Sequence, residues 1–359
     1  ASERDYTIRQ IKYNVGADVS VQLTTPINAS QTMTEIEENL SEVVSSTVLE
    51  YSFSASSVLK MATLRAVDPE RWLETAYYER ELFTGNDVTT AFHRMAANNN
   101  TIILERETAS SLNLGIGDNI TLIFDSDVHT LEVVGFFGPK LPEDQYYRYE
   151  GITYYSYVPQ GFYNLVEDKV SATATGRILV KLVSGADGKA VADQIQELET
   201  ENIGTVQSVA EQLQEWQSDV ELSGPLKVQL LGVAFAVVIA SIGTALVTLV
   251  SLRERSREMS IMSVRGLSFK QLVTMLLAEN LAVVVFAVLL GTAVGLIWVR
   301  GNVVAANTFS SSIIARHMVF PTYTLLTLLA CFVFVFASTI IPVIVIARRY
   351  VSRLERMVR

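Results

Sequence analysis

Three long apolar runs in the last third of the chain constrain its fold more than any other feature. Residues 228–251 (VQLLGVAFAVVIASIGTALVTLVS) carry no charge. Residues 276–298 (LLAENLAVVVFAVLLGTAVGLIW) carry one, Glu279, and residues 322–347 (TYTLLTLLACFVFVFASTIIPVIVIA) carry none. About 20 apolar residues suffice for a helix to cross a hydrocarbon core roughly 30 Å thick. Each run therefore predicts a membrane-spanning helix. In lipid the backbone amides must be satisfied within the segment, so residues 226–359 are expected to form an all-α transmembrane bundle.

Charge divides the 359-residue chain at the same place. Residues 1–225 hold 15 Lys/Arg against 34 Asp/Glu, and residues 226–359 hold 13 against 4, which together give the net −10 of the whole. The acidic part reads as a solvated domain, and it offers nucleic acid no basic surface, so no nucleic-acid partner is expected. Orientation follows from Lys and Arg in the short loops. The 252–275 loop carries Arg253, Arg255, Arg257, Arg265 and Lys270, and the tail carries Arg348, Arg349, Arg353, Arg356 and Arg359. The 299–321 loop has only Arg300 and Arg316. The 252–275 loop and the 348–359 tail are thus expected in the cytoplasm, and residues 1–225 outside a multi-pass cell membrane. The chain opens on ASERDYTIRQ, neither a signal peptide nor a span, so an upstream transmembrane helix is expected before it.

Gly291 and Gly295 form a GxxxG pair in the second span, and Ala236, Ala240 and Thr244 a looser version in the first. Small residues at this spacing let helices approach closely. Pro342 falls within the third span and predicts a kink there. Glu279 sits near a membrane edge, where it can cap or pair within the bundle.

The acidic part mixes short strands and helices, which predicts an α+β domain of one or two lobes. VSVQL (19–23) alternates as a strand, and TEIE (34–37) has the form of a helix-starting capping box. After it Ile36, Leu40, Val43 and Val44 recur at helical spacing. TIIL (101–104) reads as a strand, 106–112 as a helix, and GIGD (115–118) as a turn before the strands NITLIF and HTLEVVGFF. RILVKLV (177–183) is a further strand. Residues 190–198 predict an amphipathic helix with Val191, Ile195 and Leu198 on one face. A last helix over about 208–222 is expected to stop at Ser223-Gly224-Pro225, before the membrane. The tyrosine-rich stretch 140–163 reads either as a ligand surface or as aromatics packed on their own domain, the second being the commoner use. Four Asn-X-Ser/Thr sequons, at Asn28, Asn39, Asn99 and Asn119, all lie in this part.

Catalytic signatures are missing from the sequence. SGADGKA (184–190) lacks the spacing of a phosphate-binding loop and the hydroxyl residue after its Lys, and neither GxSxG nor HExxH occurs. One cysteine, Cys331, excludes a disulfide framework, and His93, His129 and His317 have no metal-ligand spacing. The chain is therefore not expected to be an enzyme or to hold a metal or cofactor.

The most informative stretch is SLRERSREMSIMSVRGLSFKQLVTMLLAEN (251–280). It leaves the first span charged, turns amphipathic with Met259, Met262 and Leu272, breaks at Arg265-Gly266-Leu267-Ser268 and runs into the second span. Such an exposed helical elbow can dock in a groove on a partner protein, or it can touch anionic membrane lipid. The stretch resembles the signature of the FtsX/MacB-type permease family (type VII ABC transporters), in the residues Glu254, Arg255, Arg257, Glu258, Gly266, Ser268 and Glu279; Arg265 fits the variant ending in RGxS. Ser263 and Met259 depart from the family's usual Arg and Ile/Leu. TIILERETASSLNLGIGDNITLIF, ELFTGND (81–87), LEVVGFFG (131–138) and NVGADVSVQL are similar to the MacB-like periplasmic core.

The resemblance implies a permease that dimerises, as a homo- or heterodimer, and pairs with two separate ABC ATPase subunits, which bind ATP and Mg. The 252–275 elbow would be the coupling element on the ATPase, with Glu258 and Arg265 in its ion pairs and Gly266 at its bend. Movement of the outer domain would carry the work to a substrate or adaptor protein, for export or extraction. Family members have four spans or ten, so an upstream helix or a first half is implied. Two other readings stay open from the sequence: a non-transporting regulator of an extracytoplasmic enzyme, and a receptor or adhesion protein without an ATPase.

Overall fold

The computed structural model describes residues 2–57, 61–125, 127–139, 155–198, 202–254, 258, 261–262, 266, 268–309 and 312–357. They divide into two compact units, Arg4–Ser218 with Ser310–Ala315, and Ala1–Glu3 with Asp219–Phe309 and Arg316–Arg359.

The first unit is mixed α/β. In chain order it contains α1 (Ser2–Val15, whose first residues belong to the other unit), β1 (Val19–Leu23), α2 (Ala29–Asn39), β2 (Val44–Ser57), β3 (Met61–Val67) and α3 (Pro69–Thr75). After a 3-10 turn, Arg80–Leu82, come β4 (Phe83–Thr84), α4 (Val88–Ala97), β5 (Thr101–Glu105), α5 (Arg106–Leu112), β6 (Asn119–Phe124) and β7 (Asp127–Phe137). The unit ends with β8 (Tyr155–Pro159), α6 (Gln160–Val170), β9 (Thr175–Leu182), α7 (Gly188–Glu197), β10 (Ile203–Ser208) and α8 (Val209–Ser218).

All ten strands join one sheet in the order β10-β1-β9-β2-β3-β8-β5-β7-β4, while β6 pairs with both β2 and β7. That last pairing closes a ring, β2-β3-β8-β5-β7-β6, and removes the open edges that six strands would otherwise present. The 14-residue β2 makes this possible. Its first part pairs with β9 through Val44–Ser52, and its end with β6 at Ser56 and Ser57.

Strand alternation separates two cores. Leu49, Tyr51, Phe53 and Ala55 of β2, with Leu64 and Ala66 of β3, face a core shared with Phe162 and Tyr163 of α6. Val48, Val67 and Leu179 face the other way, against Trp72 of α3 and Phe92 and Met95 of α4. A one-residue slip of β2 would exchange the two sets, so its register is strongly specified. Trp72 lies flat on Phe92 with ring centroids 4.6 Å apart. Gly16 ends α1 at φ +90, its amide donating to the Lys12 carbonyl at 2.8 Å, a backbone that side-chain-bearing residues rarely adopt.

The strands and helices expected from the sequence at 19–23, 101–104, 106–112, 119–124 and 177–183 are present, with ends that differ by at most two residues. Three expectations need correction. Helix α2 begins at Ala29, so Thr34 is internal to it and bonds the Ser30 carbonyl at 3.0 Å rather than capping anything. Leu40 ends that helix, and Val44 already belongs to β2. The helix over 208–222 is really α8 followed by a long helix, Val220–Glu254, which runs through Ser223, Gly224 and Pro225. Pro225 is the sixth residue of that helix, so it removes one bond to the Glu221 carbonyl, a loss that the long apolar helix tolerates. Within the tyrosine-rich stretch, residues 140–154 lie outside the described residues, while Tyr157 and Tyr163 are buried in the two cores.

Caps also hold this unit together. Glu105 is 7% exposed and accepts from the amides of Glu107 and Thr108, at 3.2 and 3.0 Å, and from the Thr108 hydroxyl. Its loss would leave two α5 amides without their partner. Glu105→Ala is expected to cost about 2 kcal/mol, read as a lowered thermal midpoint, whereas Glu107→Ala at the neighbouring position is expected to cost less.

The second unit consists of three long helices, Val220–Glu254, Phe269–Phe309 and Thr322–Met357. The second continues 11 residues beyond the apolar run that ended at Trp298, taking Arg300 and much of the expected 299–321 loop into the helix. The third is continuous through Pro342. It packs against both others.

Candidate functional site

The elbow between the first two long helices is built from local signals. Glu254 is the last residue of the first helix and is exposed. Glu258 is helical and exposed, as is Ile261, which keeps 52% of its surface open. Gly266 stands at φ +94 in a turn, with open space where a Cβ would be, so its conformation and not crowding calls for glycine. Ser268 precedes the second long helix: its amide donates to Gln271 Oε1 at 2.9 Å, and the Gln271 amide reaches back to the Ser268 hydroxyl at 3.4 Å. This reciprocal pair has the form of a capping box. Arg255, Arg257 and Arg265 lie outside the described residues, as does Met259.

Glu279 is exposed on the second helix, two residues into its apolar part. Gly291 and Gly295 are exposed too, and a Cβ on either would meet nothing within 4 Å. Among the described residues, then, no contact within this chain uses them. Among the described residues, the buried positions of the first and third helices are Ser241, Thr248, Thr339 and Val343. Small side chains thus lie at the helix contacts, but at positions the GxxxG spacing did not mark.

Three helices are long and apolar enough to cross a membrane: Lys227–Ser251, Leu277–Thr308 and Thr322–Ile341, with mean hydropathy near 2.5. Only 11%, 6% and 6% of their most apolar windows are buried by the rest of the chain. Phe235, Phe286, Trp298 and Phe334 each leave more than half of their surface uncovered. So large an apolar area demands lipid or partner helices.

A second constellation lies inside the α/β unit. Strand alternation puts Glu50, Arg65 and Arg177 on the α3/α4 side of the sheet. Glu50 and Arg177 are direct cross-strand partners, and Arg65 sits diagonally, opposite Ser52. Glu50 is 1% exposed. It accepts a hydrogen bond from the Arg177 Nε and another, at 2.7 Å, from the Trp72 indole N–H, with Arg65 Nε at 3.8 Å. Burial pushes the Glu50 carboxyl up, but the guanidiniums of Arg177 and Arg65 and the indole donor outweigh it, leaving the group below its ordinary range. The Arg65 guanidinium lies over the Tyr155 ring, 3.8 Å from its centroid, and near Tyr157. Burial, opposed in part by Arg65, pushes the Tyr157 hydroxyl to about 12.

Comparisons with known proteins bear on both halves. The model of the MacB-like periplasmic core domain matches residues 1–198, and that of the FtsX-like permease C-terminal matches residues 230–353. The chain belongs to the FtsX/MacB-type permease family. It is an ABC-type transporter permease, the component of such transporters that is generally not itself catalytic. A solved structure described as the extracellular domain of the noncanonic ABC-type transporter YknZ from Gram-positive bacteria is also similar, at 12% identity. The match covers 48% of this chain and 88% of that one, with a TM-score of 0.32. Comparison with curated proteins gave no match.

In this FtsX/MacB-type permease the sequence signature falls on the elbow, between two apolar helices. The buried Glu50–Arg65–Arg177 cluster was not anticipated. Its signal was present as single charges inside apolar strands, TVLEYSF and ATLRAV, where alternation gives them one face. Among the described residues no group of three or more His, Cys, Asp or Glu side chains could hold a metal ion.

Proposed function

We propose that this permease couples ATP hydrolysis on a separate ABC ATPase subunit to movement of its α/β domain. The observation that carries the reading is the elbow. An exposed, charged helical segment, bent at a left-handed glycine, lies between two helices apolar enough to span a membrane, inside the region matching the FtsX-like permease. Basic residues concentrate in 252–275 and in the tail, which favours placing both in the cytoplasm and the acidic domain outside. In this arrangement Glu254, Arg255, Arg257, Glu258, Arg265, Gly266 and Ser268 form the ATPase-coupling surface. ATP and Mg are held by the partner, two copies per complex.

The uncovered faces of the three helices favour a permease dimer in lipid, homo- or heteromeric, with Gly291 and Gly295 on a surface free to meet the second copy. Closure of the ATPases would pull on the elbows and be delivered to the outer domain as mechanical work on a substrate or adaptor. The test is purification of the full chain in mild detergent, with identification of co-purifying chains and an assay of ATP hydrolysis. A stoichiometric ATPase subunit is the expected result. Its absence from cells that express it would contradict the proposal.

A further inference from the structure

The connection between the second and third long helices does more than join them. Ser310–Ala315 belongs to the α/β unit, although the chain on both sides of it, up to Phe309 and from Arg316, belongs to the helical one. The chain therefore passes between the units at Phe309–Ser310 and Ala315–Arg316, as well as at Glu3–Arg4 and Ser218–Asp219.

Specific contacts fasten this segment to the α/β unit. Ile313 packs against the core that contains Trp72 and Phe92, and Ile314 is 3% exposed. The Arg9 Nη1 donates to the Ala315 carbonyl at 3.0 Å. Arg9 is itself held. Its Nε and Nη2 donate to the two Glu79 oxygens at 2.9 and 3.1 Å, and Asp5 lies 3.7 Å from Nη1. Glu79 also accepts from the Tyr77 hydroxyl at 2.7 Å, and the Tyr77 amide donates to the Gly16 carbonyl at 2.6 Å. A continuous line of bonds thus runs from the turn that ends α1, through Tyr77, Glu79 and Arg9, to Ala315. A guanidinium can grip a carboxylate with two parallel donors and keep another for a carbonyl, whereas an ammonium has no such fork. Packed and bonded contacts of this kind carry displacement that a solvated loop would absorb.

We propose that Ser310–Ala315 is a strap that delivers movement of the second and third long helices to the α/β unit, with Arg9 as its positioning residue. The proposal rests on the coupling reading and adds a route to it, beside the direct continuations at Glu3–Arg4 and Ser218–Asp219.

The test uses the full chain purified with its ATPase subunit, with Cys331→Ser throughout. Ile314→Cys reports the fastening through its rate of reaction with N-ethylmaleimide, and Ala315→Cys, at an exposed position, is the open reference. Ile314→Cys is expected to react about tenfold more slowly than the reference, and Arg9→Lys to return most of that difference, a size in line with one hydrogen bond to a charged group. Nitroxide labels on Glu197→Cys and Val304→Cys, exposed positions on α7 and the second long helix, then report whether helix and unit move together. The parent is expected to give one narrow separation, alike in the nucleotide-free and vanadate-trapped complexes. Arg9→Lys is expected to broaden it and make it shift with nucleotide. Ile313→Ser, which leaves Arg9 and Glu79 in place, should act in the same way and replaces Arg9→Lys if that variant does not keep its thermal midpoint. An unprotected Ile314→Cys in the parent, or separations alike in parent and variants, would overturn the strap with the coupling reading intact. A separation that broadens in the variants but ignores nucleotide would contradict the coupling reading, and with it the movement that the strap carries.

Discussion

Replacing Glu50 by alanine is expected to cost about 3–5 kcal/mol of stability, the usual consequence of stripping one partner from a buried ion cluster. In a unit of this size that corresponds to a fall of roughly 10 °C in the thermal midpoint. Burial alone does not make the effect large. Without the carboxylate, Arg177 loses its acceptor, Trp72 loses its indole bond, and two guanidiniums face each other in a desolvated site. Glu197→Ala, at an exposed position on α7, is the matched control and should lie within about 0.5 kcal/mol of the parent. Replacing all three charges together (Glu50→Leu, Arg65→Met, Arg177→Met) is expected to recover much of the loss, because no uncompensated charge remains. If Glu50→Ala behaved as the control does, the cluster would not be a structural element.

The same carboxyl sets a pH dependence. Its pKa is held below the ordinary range in the folded protein. Its contribution is therefore fully present above the unfolded value of about 4.3 and is lost as pH falls through the depressed folded value. Glu50→Gln should remove that part of the acid sensitivity and leave the behaviour above pH 6 flat.

The second large effect is expected at the elbow. Glu258→Lys should lower ATP hydrolysis by the co-purified complex roughly tenfold, a coupling loss of ordinary size for two communicating sites. Expression and thermal midpoint should not change, because Glu258 is exposed. Functional loss with unchanged folding is the signature of a docking residue. Wild-type hydrolysis in that variant would remove Glu258 from the interface, and a lowered midpoint would make it structural.

Much of the architecture could be read from the sequence because its signals are local. Apolar length is a property of a single run, and three helices long and apolar enough to span a membrane were therefore found where expected, although the second continues to Phe309. Short strands next to Gly-Asp turns were found for the same reason. Expectations that depended on where a helix starts did worse. Thr34 has the sequence of a cap, yet α2 had already begun at Ala29, after Pro26 and a left-handed Asn28. Ser223-Gly224-Pro225 has the composition of a break, yet the continuous apolar helix to which it is joined overrides local propensity. The closed ring of strands could not be read at all, since β2–β6 pairing joins residues far apart in the chain. The Glu50 cluster was missed for a related reason. Its three charges lie on three strands, and only the register of β2 against β3 and β9 brings them together. At the elbow, by contrast, the informative residues adjoin one another, which is why the family signature was visible there.

The central claim, that the elbow meets an ATPase on the cytoplasmic side, is most directly tested by placing one cysteine there. Cys331→Ser removes the native thiol, Ile261→Cys puts one on the exposed helical part of the elbow, and Glu197→Cys puts one on the α/β unit. Intact cells are treated with a membrane-impermeant maleimide, and membranes with a thiol-to-amine cross-linker. The account predicts that Glu197→Cys is labelled from outside, and that Ile261→Cys is protected in cells and cross-links to a co-purifying ATPase subunit. Labelling of Ile261→Cys from outside, with Glu197→Cys protected and no ATPase cross-link, would contradict it.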